Sequence, residues 1–207
     1  MGSRSSSPEA GPGGGTAAEA RTAAVVLAAG AGTRFHGATH KLLAPVGGSP
    51  LVRHAVGAAV EADIGPVIVV DGSVPLDDAL AGLAVEAIAH NVDFAAGQAS
   101  SLQVGLAAAG RLGVDAVVVA PGDQLGVAPS AWRAVAAATD RPIAVAVFGG
   151  HRRPPTRLDR TIWPQLPHAG DEGARALFRG RPDLVREVPC DGTPRDIDTV
   201  EEYRRWT

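Results

Sequence analysis

Ala23–Lys41, AAVVLAAGAGTRFHGATHK, is the stretch on which the reading of the fold turns. Its apolar run, Ala23–Ala29, is short, β-branched in the middle and closed by glycine, so it reads as a buried strand. A small-residue loop follows, Gly30-Ala31-Gly32-Thr33, with Arg34 directly after it and Lys41 a little further on. Glycines let such a loop turn tightly and approach a ligand, so that successive N–H groups can face phosphate oxygens. Arg34 adds a forked cation and Lys41 a point charge, a pair suited to a polyphosphate. The loop lacks the third glycine of GxGxxG, having Phe35 there, and it has no GxxxxGK[ST]. An ordinary glycine turn would explain GxG alone; the two cations move the phosphate reading ahead of it.

Working outward, apolar runs alternate with helical patterns. Ser49 is a candidate helix cap with Pro50 at the first position, and the helix runs to about Ala62. Strands are expected at Pro66–Val70, Val85–Ala89, Asp115–Ala120 and Ile143–Val147. Helices are expected at Pro75–Leu83, Gln98–Arg111 and Pro129–Ala138. Near-continuous apolar strands between helices imply a parallel α/β sheet covered on both faces. From Gly149 the chain is richer in Arg and Pro and less regular, and is expected to carry the acceptor side of the site.

In such a sheet ligands bind beyond the carboxyl ends of the strands. The turn Pro121-Gly122-Asp123 lies at the same edge as Gly30–Arg34, which makes Asp123 a candidate for a cation beside the phosphates. As a plain turn residue Asp123 would need no such role. Asp196 and Asp198 share one face if their segment is extended, a costly arrangement unless a cation or Arg lies between them. Thr199 or Asp198 could equally cap the short helix Val200–Arg205.

At 207 residues the chain suits one domain, residues 22–207, after a Gly/Ser/Pro/Ala-rich tail over 1–21 that reads as disordered. The tail has no apolar run, hence no signal-peptide core or membrane span. With 45% hydrophobic but only 4% aromatic residues, the core must be built from Ala, Val and Leu. A net charge of −3 gives no footprint for nucleic acid or an anionic membrane. The single cysteine, Cys190, excludes an intrachain disulfide and fits the cytoplasm; it has no evident base partner, so it reads as a structural thiol.

LAAGAGTRF (27–35), KLLAPVGGSPLV (41–52), APGDQ (120–124), GDEGARAL (170–177) and DIDTVEEY (196–203) together resemble the MobA-like nucleotidyltransferases, most of all the molybdenum cofactor cytidylyltransferase branch. The resemblance implies a Rossmann-like single domain, akin to the nucleotide-diphospho-sugar transferases, with a mostly parallel sheet. It implies Mg²⁺-dependent transfer of CMP from CTP to the phosphate of a molybdopterin, with release of pyrophosphate. A guanylyl member or a different small phosphate acceptor is the less similar case. By resemblance Leu27, Ala28, Ala29 and Gly30 would line base and ribose, and Gly32, Thr33, Arg34 and Lys41 the triphosphate. Ser100 and Ser101, at a helix start, would meet the nucleotide as well as cap the helix. Asp123 would hold the metal, with Asp198 or Asp196 as second ligand, and a molybdoenzyme or its maturation factor would be the protein partner.

The chain departs from the family at two places. Leu125 stands where Pro is usual, and Arg153-Pro154-Pro155 stands where the cytidylyltransferases carry Gly-His-Pro, so Pro154 replaces the His and cannot donate a hydrogen bond. Two other readings therefore stand beside the enzyme. One is a cofactor carrier or insertion chaperone; the other is a scaffold diverted to NAD(P)H- or flavin-linked reduction of a heterocycle. His36 and His40 read as loop residues near phosphate, without a third metal ligand.

Overall fold

The computed structural model describes residues 21–37, 39–197 and 199–204. Apart from Arg21, the N-terminal tail lies outside these residues, as does Asp198. The elements are, in order, β1 (Thr22–Leu27), β2 (Pro45–Val46), β3 (Ser49–Pro50), α1 (Leu51–Ala62), β4 (Val67–Asp71) and α2 (Asp77–Leu80). There follow β5 (Ala87–His90), α3 (Gln98–Arg111), β6 (Ala116–Pro121), β7 (Gln124–Leu125), α4 (Pro129–Ala137) and β8 (Ile143–Phe148). The chain closes with β9 (His151–Asp159), α5 (Arg175–Gly180), β10 (Val185–Pro189), β11 (Arg195–Asp196) and α6 (Val200–Arg204).

A seven-stranded sheet in the order β10-β8-β9-β6-β1-β4-β5 forms the centre. β1 pairs parallel with β4 and β6, β4 with β5, and β8 with β10, while β9 runs antiparallel between β6 and β8. The sheet is thus mostly parallel, as expected. The strands are near-continuously apolar because alternate residues feed two separate layers. Ala24, Val26 and Ala28 face the layer that holds α1, α2 and α4. Ala23, Val25 and Ala29 face the layer that holds α3. Small side chains allow close approach: a Cβ on Gly105 of α3 would lie 2.7 Å from Val25 Cγ1. Arg21 is bound to the sheet, its N–H donating to Asp115 and its guanidinium to the Leu112 carbonyl.

Three local expectations are corrected. Ser49 does not cap α1. It lies in a β2–β3 hairpin with Pro50 in the cap position and no side-chain cap bond. Gly47 and Gly48, both at positive φ, make that turn. The helix placed over Pro75–Leu83 shrinks to the four residues of α2. The region after Gly149 opens on a regular element that the composition hides: β9 is a nine-residue strand joined to β8 by Gly149-Gly150, whose φ values of 55° and 83° suit a tight hairpin turn. Two prolines in a central strand argue against it by sequence. They are accommodated because the β8–β9 register jumps between Val145↔Thr156 and Ala146↔Arg153, leaving Pro154-Pro155 in a bulge. Among the described residues no helix is long and apolar enough to cross a membrane.

Candidate active site

The loop after β1, the turn after β6 and the β9 hairpin meet at the carboxyl edge of the sheet. They border a cleft of about 790 Å³. Leu27 and Arg34 line it from the loop, Asp123 from the turn, Asp196 from β11 and Gln98 and Leu102 from the first turns of α3.

The loop is held from beneath. Ala28 and Ala29 are buried, and each sits against a glycine. A Cβ on Gly122 would lie 2.9 Å from Ala28 Cβ, and one on Gly72 2.8 Å from Ala29 Cβ. Gly30 is exposed, with open space where a side chain would project. Gly32 turns the chain at φ +59°, its missing Cβ only 3.0 Å from Lys41 Cβ, and its carbonyl accepts from Phe35 N–H. Thr33 and Arg34 lie exposed on that turn.

Lys41 is buried, and its Nζ lies 2.5 Å from Asp123 Oδ2. Two residues proposed for phosphate and metal are therefore already an ion pair, a juxtaposition not deducible from their separation in sequence. Asp123 is followed by Gln124, whose Nε2 donates to Asp196 Oδ1 at 3.1 Å. Ile197 N–H donates to the Asp123 carbonyl, so the strand pair β7–β11 brings Asp123 and Asp196 to one side of the cleft. Arg153 lies 3.8 Å from Asp196. Of the two acids in DIDTV, Asp196 is thus placed at the cleft, while Asp198 lies outside the described residues. Asp123 and Asp196 offer oxygen donors alone, and Asp123 already holds a cation in the Lys41 ammonium. That donor set fits a hard divalent ion such as Mg²⁺.

His40 ties the loop together. Its Nδ1 accepts from Leu42 N–H, so Nε2 carries the proton and faces Ser73 Oγ at 3.1 Å. Ser73 in turn donates to the Gly30 carbonyl. Burial holds the imidazole below its ordinary value of 6.5; the Gly30 and Ala31 carbonyls oppose this and the Lys41 charge adds to it. The folded chain thus prefers neutral His40, and the unfolded chain takes up the proton first as pH falls. Stability is full above pH 6.5 and declines below it, toward the depressed folded value. The parent protein should therefore lose more Tm between pH 7.5 and 5.5 than His40→Asn; parallel curves would remove His40 from the loop's support.

Ser100 and Ser101 lie on the first turn of α3 as expected, but Gly97 is its cap. Both serine hydroxyls accept from Nδ2 of buried Asn91, and Ser100 also lies within bonding distance of the Gly97 and Asp93 carbonyls. Gln98 and Leu102 are the residues of this turn that reach the cleft. Thr199 caps α6: its Oγ1 accepts from Glu202 N–H while Glu202 Oε2 accepts from Thr199 N–H. Leu125 is buried with Val46, Leu51 and Ile197.

Further cations line the cleft: Arg152, Arg153, Arg175 and Arg179 join Arg34 there, with the carboxylates Asp123, Glu172 and Asp196. Among the described residues that line the cleft, five guanidiniums accompany three carboxylates, a balance suited to anionic ligands. The hairpin glycines Gly149-Gly150 were the available signal for Arg152 and Arg153. Cys190 is half-buried, its thiol pushed up mainly by burial, and Sγ faces the Val188 carbonyl, consistent with a structural thiol.

A mostly parallel sheet with a glycine loop and the Lys41–Asp123 pair at its carboxyl edge is the architecture of a ligand-binding α/β domain. A family model for the MobA-like NTP transferase domain matches residues 24–187, and the chain belongs to that family, whose members use a nucleoside triphosphate. Among curated proteins it is 36% identical over 154 residues to the bifunctional protein GlmU of Agrobacterium fabrum, covering 70% of this chain and 32% of that one. The chain spans about a third of the length of the curated relatives it matches. Among solved structures, Rv0371c from Mycobacterium tuberculosis H37Rv is 28% identical with a TM-score of 0.74, covering 90% of this chain and 97% of that one. The same protein has been solved in complex with manganese, at a TM-score of 0.71 and 26% identity, with the same coverage. A nucleotidyl transferase from Methanothermobacter thermautotroptrophicus, Mth528, shares the fold at a TM-score of 0.76 and 24% identity, covering 89% and 95%.

Proposed function

We propose that the protein transfers the nucleoside monophosphate of CTP to the phosphate of a small acceptor, a molybdopterin being the first candidate. The observation that carries this reading is the Lys41–Asp123 pair between the glycine loop and the metal-type turn. An oxygen of the acceptor phosphate attacks the α-phosphorus, the bond from that phosphorus to the bridging oxygen breaks, and pyrophosphate leaves with the electron pair. An acceptor phosphate is already ionised near neutral pH, so no general base is required. The protein's share is positioning and charge neutralisation. Arg34 and Lys41 bind the β- and γ-phosphates and stabilise the leaving pyrophosphate. The backbone from Leu27 to Thr33 cradles the nucleotide, while the Ser100–Ser101 turn is kept rigid by Asn91.

Asp123 and Asp196 would hold Mg²⁺, which when bound neutralises charge on the α-phosphate. The manganese complex of Rv0371c supports a divalent ion in this fold. The loop reads Leu27-Ala28-Ala29-Gly30, and its Ala29 form is more similar to the cytidylyl than to the guanylyl members, which supports CTP over GTP. One observation favours a second acceptor reading. Pro154 lines the cleft where the cytidylyltransferases carry His, and offers no donor there, which suits a small phosphate other than molybdopterin.

The test is ligand-induced thermal stabilisation by CTP, GTP, ATP, NADPH and FAD, with and without Mg²⁺, then pyrophosphate release with molybdopterin and sugar phosphates as acceptors. Magnesium-dependent stabilisation by CTP is expected, since a ligand of the native state raises its apparent stability. Stabilisation by NADPH or FAD alone would overturn the reading. CTP binding without pyrophosphate release from any acceptor would favour a carrier.

A further inference from the structure

The part of the loop that carries Arg34 lies largely at the surface: Thr33, Arg34, His36 and Gly37 are exposed. Phe35 is its one large apolar side chain, and its ring folds back over Gly37, where a Cβ would lie 2.4 Å from Phe35 Cε1. That ring packs edge-to-face with Tyr203, with centroids 5.6 Å apart and planes at 88°. Tyr203 Oη also donates to the Pro45 carbonyl at 2.5 Å, just beyond the 3₁₀ turn Lys41–Leu43. One C-terminal side chain therefore touches the chain directly after Arg34 and again four residues past Lys41.

The base from which Tyr203 reaches is firm. Ile197 is fully buried with Val46, Leu51 and Leu125, and β11 pairs with β7 beside Asp123. The Thr199–Glu202 capping box starts the helix that carries Tyr203. The C-terminal segment thus staples the glycine loop to the Asp123 turn.

We propose that Tyr203 is a positioning residue for nucleoside triphosphate binding, acting through Phe35 on Arg34 and through Pro45 on Lys41. It rests on the nucleotidyltransferase reading above and adds a residue that never touches the substrate. An exposed glycine-rich loop must be ordered when a triphosphate binds, and prior anchoring removes part of that cost. Losing the anchor weakens binding while leaving the bound geometry, and hence turnover at saturation, largely intact.

The test compares the parent with Tyr203→Phe, Tyr203→Ala, Phe35→Leu and the Phe35→Leu/Tyr203→Ala double variant, measuring triphosphate Kd by calorimetry and both KM values. Tyr203→Ala is expected to raise the triphosphate Kd about tenfold, the scale of losing one aromatic edge contact and one hydrogen bond. Acceptor KM and kcat should change less than about twofold. Tyr203→Phe keeps the ring and the fold, and should raise Kd by roughly threefold, since only the hydrogen bond is lost. The double variant should bind no worse than Tyr203→Ala, because the two side chains act as one unit. Unchanged triphosphate Kd in every variant, or equal loss toward triphosphate and acceptor, overturns the proposal while the parent's activity stands. A parent that binds no triphosphate defeats the nucleotidyltransferase reading and this proposal with it.

Discussion

Asp123→Asn is expected to lower kcat for nucleotidyl transfer by about 10²–10³-fold, the usual scale for removing one group that stabilises developing charge. The amide keeps the side-chain length and one oxygen, so it can still accept from the Lys41 ammonium that now lies 2.5 Å from the carboxylate. The fold and the apparent Tm should therefore stay near those of the parent. Asp123→Ala should lose the same activity and stability as well, because it removes the carboxylate that pairs with the buried Lys41 ammonium. Breaking a buried pair in this way costs about 3–5 kcal/mol; Asp123 is partly exposed, which places this site toward the lower end. Kinetics against Mg²⁺ concentration and thermal unfolding of both variants separate the two effects. An Asn variant with kcat near the parent's would remove Asp123 from the chemistry.

Lys41→Met keeps an aliphatic stem of similar length and deletes the charge. Its expected effect is on the triphosphate: losing a charge-assisted hydrogen bond costs about 1.5–3 kcal/mol, or about 10–150-fold in Kd. Acceptor affinity should change little. A second consequence follows from the ion pair. In the ligand-free protein the ammonium occupies the Asp123 oxygen that a cation would take, so Lys41→Met should bind Mn²⁺ more tightly in the absence of nucleotide. Calorimetry with CTP, and separately with Mn²⁺, checks both. Weaker binding of both ligands would show that Lys41 supports the site as structure and not as a phosphate contact.

Both effects depend on a contact between residues 41 and 123 that neither local pattern contains. Each residue was legible as a candidate from its own motif, Lys41 from the cations after the glycine loop and Asp123 from the turn after an apolar strand. Their pairing required β1 and β6 to lie side by side in register, Leu27 opposite Pro121. Asp196 was legible only as one of two acids, and the β7–β11 pairing is what sets it beside Gln124.

The alternation of strands and helices, the near-continuous apolar strands, the loop Gly30–Arg34 and the family resemblance are all legible in the order of residues alone. These are local or additive signals: periodicity, glycine at a turn, cations close in the chain. The tertiary structure decided the place of β9, because a strand reading His-Arg-Arg-Pro-Pro-Thr-Arg-Leu-Asp carries no apolar alternation. Its Arg157 is nevertheless fully buried between β6 and β8, where Val118 and Ala144 flank it. The tertiary structure also decided the cleft's arginines, the Asn91 hold on Ser100 and Ser101, and the reach of Tyr203 back to Pro45. Each depends on side chains that meet only after the sheet has closed its long-range pairings, and no spacing along the chain encodes such a meeting.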